Sequence, residues 1–264
     1  MFPNTLRALI YSGLAALLTQ PGPIQAAAIT KTSKRGIAWA DPGHPGDLAL
    51  FNHTSKISWV YNWAPTPDNC LKTSGLTFVP MQWNDAGIAS LASSVKSQKA
   101  KVVLGFNEPD YVEQSNMNAT DAAALWKEYI QPLGNSSVRL GAPAVTNAPG
   151  GVVWLRDFFK ACTGCKFDFI PIHWYGEGIG NFYDYVWSIY GEFGHPVWIT
   201  EFASTSTNDT VVADFMSQTI RYLDTLDWVE KYAWFGVFRD DGQMHYNMLD
   251  TSGKLNQLGE IYLA

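Results

Sequence analysis

Cysteine is scarce in this chain: three among 264 residues, at Cys70, Cys162 and Cys165. So small and odd a number excludes a disulfide-built framework, and a hydrophobic core has to hold the fold. Cys162-Thr163-Gly164-Cys165 has the spacing of a redox or zinc motif, but no second cysteine pair or nearby histidine completes a metal site. The expected bond joins Cys162 to Cys165 and leaves Cys70 free, with Cys70 as the alternative partner. Charge is scarce too. Charged residues make up 16 %, the formal net charge is -6 and Lys and Arg form no cluster, which argues against nucleic acid as a partner. Beyond the first 28 residues no apolar run is long and clean enough to span a bilayer. Low-complexity tracts and internal repeats are also missing, and no linker divides the chain.

Aromatic rings, by contrast, are abundant: 11 Trp, 12 Tyr and 14 Phe. Core packing accounts for many of them, but flat rings are also the usual platform for the C–H faces of sugars. The first residues differ from the rest. Arg7 supplies a positive end, residues 8–19 are mostly apolar, and Ile24-Gln25-Ala26-Ala27-Ala28 offers small residues for cleavage. Pro21 and Pro23 would break an amphipathic helix there. A secretory signal peptide over residues 1–28 is expected, followed by one domain over residues 29–264. Acceptor patterns for N-glycosylation begin at Asn52, Asn118, Asn135 and Asn208, in keeping with a secreted, extracellular or cell-wall monomer.

Apolar or β-branched runs recur at residues 36–40, 58–63, 77–83, 102–107, 138–145, 167–175, 197–202 and 232–238. Most intervals between them carry helical periodicity. Ile88, Leu91, Ala92 and Val95 follow a cap at Asn84 or Asp85, and Val211, Val212, Phe215, Met216, Ile220 and Leu223 follow Asn208. Strand and helix repeated eight times predict an α/β fold, a (β/α)8 TIM barrel of one domain. The interval 64–75, with Pro65 and Pro67, is too short and broken for a good second helix, so an irregular barrel is expected there. The barrel should begin near residues 31–35, and Ile261 to Leu263 should close it.

Two of these strands stop at a glutamate: Val102-Val103-Leu104-Gly105-Phe106-Asn107-Glu108-Pro109 and Val197-Trp198-Ile199-Thr200-Glu201-Phe202. Parallel barrels keep their chemistry at the rim where strands end. Paired carboxylates there suit the cleavage of a glycosidic bond, in which one carboxyl protonates the leaving oxygen while the other attacks or supports the sugar carbon. Neither strand end has a basic neighbour in sequence, so mutual repulsion is expected to keep one of the pair protonated.

Asn107-Glu108-Pro109 resembles the strand-4 signature of the large clan of retaining glycoside hydrolases, whose nucleophile ends strand 7. More narrowly, Gly105-Phe106-Asn107-Glu108-Pro109-Asp110, Pro171-Ile172-His173-Trp174-Tyr175 and Trp198-Ile199-Thr200-Glu201-Phe202 are similar to glycoside hydrolase family 128, fungal and bacterial β-1,3-glucanases with cell-wall members. The resemblance runs from about Arg35 to the C-terminus. It implies an endo-β-1,3-glucanase with Glu108 as acid/base and Glu201 as nucleophile, β-glucan as its partner, and no cofactor. Asn107 would bond the sugar 2-hydroxyl. His173 and Tyr175 share a strand face, with Tyr175 reaching Glu201 through its hydroxyl. Trp63, Gln82, Trp83, Trp174 and Trp234 are expected subsite residues, with Trp174 and Trp234 the foremost platforms. No metal site is expected from ligand spacing. Asp110 is expected to cap the loop after Pro109, Asp240-Asp241-Gly242 and Asp250 to form turns, and Glu177 is the reserve carboxylate. A cell-wall protein that binds β-glucan with little turnover, or a hydrolase of another β-glycan, is the alternative.

Overall fold

The computed structural model describes residues 33–136 and 138–264; the expected leader lies outside the described residues. Strands and helices alternate as the sequence pattern predicts: β1 (Arg35–Ala38), α1 (Ala49–Asn52), β2 (Ile57–Tyr61), α2 (Asn69–Lys72), β3 (Thr77–Phe78), α3 (Leu91–Gln98), β4 (Val102–Leu104), α4 (Ala119–Leu125), β5 (Arg139–Gly141), α5 (Pro149–Ala161), β6 (Ile170–Gly176), α6 (Ile179–Phe193), β7 (Val197–Ser204), α7 (Asp209–Thr225), β8 (Val229–Trp234) and α8 (Gln257–Leu263). All the strand pairs are parallel, and β1 pairs with both β2 and β8. Bridges from Met81 to Leu104 and from Gly141 to Phe169 join the remaining strands, so the sheet closes into a (β/α)8 barrel.

Local chemistry sets where the elements start. Asn118 and Asn208 cap α4 and α7, each accepting from two backbone N–H groups through its side chain. Both begin the sequence pattern expected of N-glycosylation, and both are exposed. Capping uses Oδ1 and a glycan would use Nδ2, so the two roles are compatible. Helix α2 is a single turn capped by Asp68, the trimmed element that Pro65 and Pro67 foretold. Asp240 and Asp241 accept backbone N–H groups in a turn completed by Gly242 at φ 75°, and Asp250 does the same toward Ser252 and Lys254. Cys162 is bonded to Cys165 and Cys70 is free.

The barrel wall separates two apolar layers. Inside, Trp59, Tyr61, Met81, Leu104, Phe169 and Trp198 fill the lumen, with Phe169 stacked on Trp198 at 4.3 Å between ring centroids. A Cβ on Gly36 would sit 2.1 Å from the Trp59 ring, so only glycine lets this plug form. Outside, the opposite strand faces pack on the helices. Tyr262 of α8 donates its hydroxyl to the carbonyl of Gly36 at 2.9 Å and fastens the last helix over the first strand.

Trp174 and Trp234 belong to this outer layer, which overturns their expected place as sugar platforms. Trp174 is 3 % exposed and stacks on Phe215 of α7 at 5.3 Å. Trp234 is 0 % exposed, packs beside Phe202 at 5.2 Å and donates its indole N–H to the Tyr246 carbonyl at 2.9 Å. Strand alternation turns both rings away from the barrel mouth. Trp234→Ala should therefore cost about 3 to 5 kcal/mol of stability through the cavity it leaves. Thermal denaturation should show the loss while oligosaccharide affinity of the folded fraction stays unchanged; a stable variant with weakened binding would return Trp234 to the groove.

Candidate active site

Glu108 follows β4 and Glu201 lies within β7, both at the C-terminal mouth of the barrel. They are 8 % and 6 % exposed. Glu108 has φ 41°, a left-handed backbone uncommon for a residue with a side chain, and its N–H donates to the Ala144 carbonyl at 2.7 Å. That bond, from the segment after β5, holds the strained turn that aims its carboxyl across the mouth.

His173 of β6 bridges the two glutamates. Its Nδ1 lies 2.7 Å from Glu108 Oε1, and its Nε2 lies 3.0 Å from Thr200 Oγ1 and 3.3 Å from Glu201 Oε1. Complete burial opposes a charge on the ring, but the carboxylates of Glu201 and Glu108, and Asp110 beyond them, outweigh it and raise its pKa above the ordinary histidine value. In the charged form both ring N–H groups donate. The sequence offers neither carboxyl group a basic neighbour, and the structure brings one, His173, from another strand.

Glu201 is held from several directions. Trp63 Nε1 donates to Oε1 at 2.7 Å, the Tyr61 hydroxyl donates to the same oxygen at 3.3 Å, and the Tyr175 hydroxyl donates to Oε2 at 2.7 Å. Burial first, then the Glu201 charge, pushes the pKa of Tyr61 and Tyr175 far above the ordinary phenol value, so both remain donors. One atom each from Glu108, His173 and Glu201 lie within 4.8 Å of one another, as do those of Asp41, His44 and Asp47. Sequence spacing had shown neither trio. In the first, both imidazole nitrogens already face hydrogen-bond partners.

Two cavities meet at the pair, of about 280 and about 590 Å³, and share Glu108, Gln114, Glu201 and Phe235. The smaller is walled by Ala40, Trp63, Trp83 and Asn107, the larger by Tyr111, Asn147, Tyr175 and Tyr246 among others. Asn107 is 2 % exposed, donates Nδ2 to Gln114 Oε1 at 3.3 Å and keeps a buried Oδ1 without a partner among the described residues. Trp63 and Trp83 thus stand where sugar-binding residues were expected. Gln82 does not: its amide donates to the carbonyls of Asn84 and Ala86, and it braces the loop that carries Trp83. His173, fully buried, organises the glutamates and has no face for substrate. Asp110 accepts from Thr146 N and Oγ1, so it ties the β4 loop to the β5 loop instead of capping its own. Glu177 is exposed and walls neither cavity.

Sequence reading missed Tyr61, Thr200, Gln114, Phe235 and Tyr246. Tyr61 was within reach, since Trp59, Tyr61 and Trp63 alternate on one strand face. Thr200 was not. The pairing of β7 with β8 shifts between Ile199 and Phe202, which lets the consecutive Thr200 and Glu201 both reach His173.

Residues 36–262 match the family model described as glycosyl hydrolase catalytic core. Alkali-sensitive linkage protein 1 of Schizosaccharomyces pombe is 38 % identical over 247 residues, 88 % of this chain and 45 % of that protein, so this chain spans under half the length of that relative. Among solved structures, a curdlan-specific exo-β-1,3-glucanase of glycoside hydrolase family 128 from Blastomyces gilchristii superposes with a TM-score of 0.76 at 32 % identity, covering 89 % of this chain and 99 % of that one. An endo-β-1,3-glucanase of the same family from Sorangium cellulosum gives 0.75 at 31 % identity, covering 88 % and 98 %. A third, from Amycolatopsis mediterranei, contains laminaripentaose and gives 0.72 at 31 % identity, covering 88 % and 99 %.

The raised His173 pKa has a consequence for stability. Its protonation favours the folded chain, so the stabilisation is complete below the unfolded value of about 6.5 and is lost as pH rises through the higher folded value. The difference in melting temperature between the unsubstituted protein and His173→Gln should be largest near about pH 5.5 to 6.5 and shrink as pH rises above the folded pKa. A difference independent of pH would contradict a charged bridge.

Proposed function

This chain belongs to the glycosyl hydrolase catalytic core family, within glycoside hydrolase family 128, and from that premise we propose that it is a secreted, retaining endo-β-1,3-glucanase. The observation that carries the reading is the Glu108–His173–Glu201 bridge at the junction of two cavities. A glucan laid through both cavities would place an internal linkage over the pair, and this supports endo action. The separation within 4.8 Å leaves little room for a water between the carboxylates, which supports direct attack by Glu201.

In the first step Glu201 bonds to the anomeric carbon, the glycosidic C–O bond breaks, and the Glu108 proton goes to the departing oxygen. In the second, Glu108 takes a proton from water as the water oxygen attacks the same carbon and Glu201 leaves. Two inversions retain the β configuration. Three side-chain donors and His173 fix the Glu201 carboxyl before substrate arrives, which a pure glucan binder would not need. Esterifying Glu201 removes the strongest attraction on the His173 charge, just as Glu108 becomes anionic 2.7 Å from the ring. His173 then balances the base. Asn107 Oδ1 accepts from the sugar 2-hydroxyl.

Secretion to the medium or wall rests on the character of residues 1–28 and on the acceptor asparagines. Recovery of the chain inside the cell with those residues uncleaved would contradict it.

Glu201→Ala should lower laminarin hydrolysis by about 10⁴-fold or more. Azide should restore part of the turnover as an α-glucosyl azide, because one inversion then replaces two. EDTA should leave the rate unchanged. Proton NMR of the first products should show the β-anomer, and gel filtration should show internal fragments early. An initial α-anomer would overturn the double displacement, and glucose as the only early product would overturn endo action.

A further inference from the structure

A third cavity, of about 340 Å³, lies on the same face of the barrel between the N-termini of α7 and α8 and the loop after β8. Its walls include Asp209, Gln243, Met244, His245, Asn247 and Gln257. His245 Nδ1 lies 2.6 Å from Asp209 Oδ1, which fixes the ring at the rim. Asn247 is 4 % exposed and donates Nδ2 to the Arg239 carbonyl at 3.3 Å, while no described residue donates to its Oδ1. Met244 leaves 45 % of its surface exposed.

The wall chemistry narrows the ligand. Among the described residues neither Lys nor Arg lines the cavity, while the carboxylates of Asp209 and Asp240 do, which disfavours an anion. The two trios with metal-ligand spacing among the described residues lie elsewhere. Carboxamides, a carboxylate–imidazole pair and a soft apolar side chain together offer donors and acceptors at several angles and a surface for C–H groups, which is what a neutral pyranose requires. The loop also links this cavity to the groove. Tyr246, between His245 and Asn247 in sequence, walls the larger groove cavity, and its carbonyl is anchored by Trp234 Nε1 at 2.9 Å.

We propose that this cavity holds a further glucose unit of the glucan whose main chain lies in the groove. The inference rests on the glucanase reading. The unit is either a side branch or a distal residue of the main chain, and the ligand arms below separate them. A second point of attachment raises affinity only for ligands able to reach both places.

The test uses the Glu201→Ala protein, so that ligands stay intact, with the pair Gln243→Ala and His245→Ala added, and separately with Gln257→Trp to fill the cavity. Calorimetric titration with laminaritriose, a long linear β-1,3-glucan oligosaccharide and a β-1,6-branched one is the measurement. Affinity for a ligand that reaches the cavity should fall about five- to tenfold in both variants, while laminaritriose binding is unchanged. Loss with the branched ligand alone assigns a branch; loss with both long ligands assigns a distal main-chain unit. Equal affinities throughout, or an equal loss for laminaritriose, would overturn the cavity's role. Hydrolysis by the unsubstituted chain is scored separately. Cavity-dependent binding without hydrolysis overturns the enzymatic reading alone, and hydrolysis with cavity-independent binding overturns this proposal alone.

Discussion

The hydrogen-bonded bridge from Glu108 through His173 to Glu201 is what the rest of the site depends on. Bringing two carboxylates within 4.8 Å in a nearly buried mouth is unfavourable unless a cation or donors offset the charge. His173 supplies a basic ring whose pKa the carboxyl groups raise, and Thr200 Oγ1, 3.0 Å from its Nε2, orients that ring. Tyr61, Trp63 and Tyr175 supply the remaining donors to Glu201. Removing the imidazole would leave the two carboxyl groups facing each other with only neutral donors on Glu201. The group that makes the arrangement tolerable also fixes its geometry.

The barrel meets this demand by drawing groups from several strands. Glu108 comes from the turn after β4, His173 and Tyr175 from β6, Thr200 and Glu201 from β7, and Tyr61 from β2. Parallel strands present them at one rim, and the plug of Trp59, Phe169 and Trp198 beneath gives that rim a rigid floor. Two local departures from regular geometry refine the aim: the left-handed backbone at Glu108 and the register shift that turns both Thr200 and Glu201 toward His173. Strain of this kind persists where surrounding contacts over-determine it.

Much of the fold was legible because its signals are local. Apolar runs marked the eight strands, Asn208 marked the start of α7, and two prolines marked the trimmed α2. The two glutamates were legible at the rim, although β7 runs on past Glu201 to Ser204 and β4 ends at Leu104, before Glu108. The aromatic residues were harder, because composition counts rings without saying which face of a strand they occupy. Alternation from Tyr175 already turned Trp174 outward, and the structure packs it on Phe215. Trp234 had no such cue and lies against Phe202. Trp63 and Trp83 wall the smaller cavity, and the hydrogen bond from Trp63 to Glu201 needed two strands in one frame. The basic partner was illegible for the same reason: His173 is distant from both glutamates in sequence, and only ring closure makes it their neighbour.

The central claim is that Glu201, held by its donors and faced by the His173–Glu108 pair, forms a covalent bond to the sugar. A 2-deoxy-2-fluoro laminaribioside with a good leaving group would slow release of that bond, and mass spectrometry of the digested protein would locate it. One adduct per chain is expected, on the peptide containing Glu201 and absent from Glu201→Ala. An adduct elsewhere, or turnover of the reagent with no adduct while hydrolysis of laminarin is intact, would contradict it.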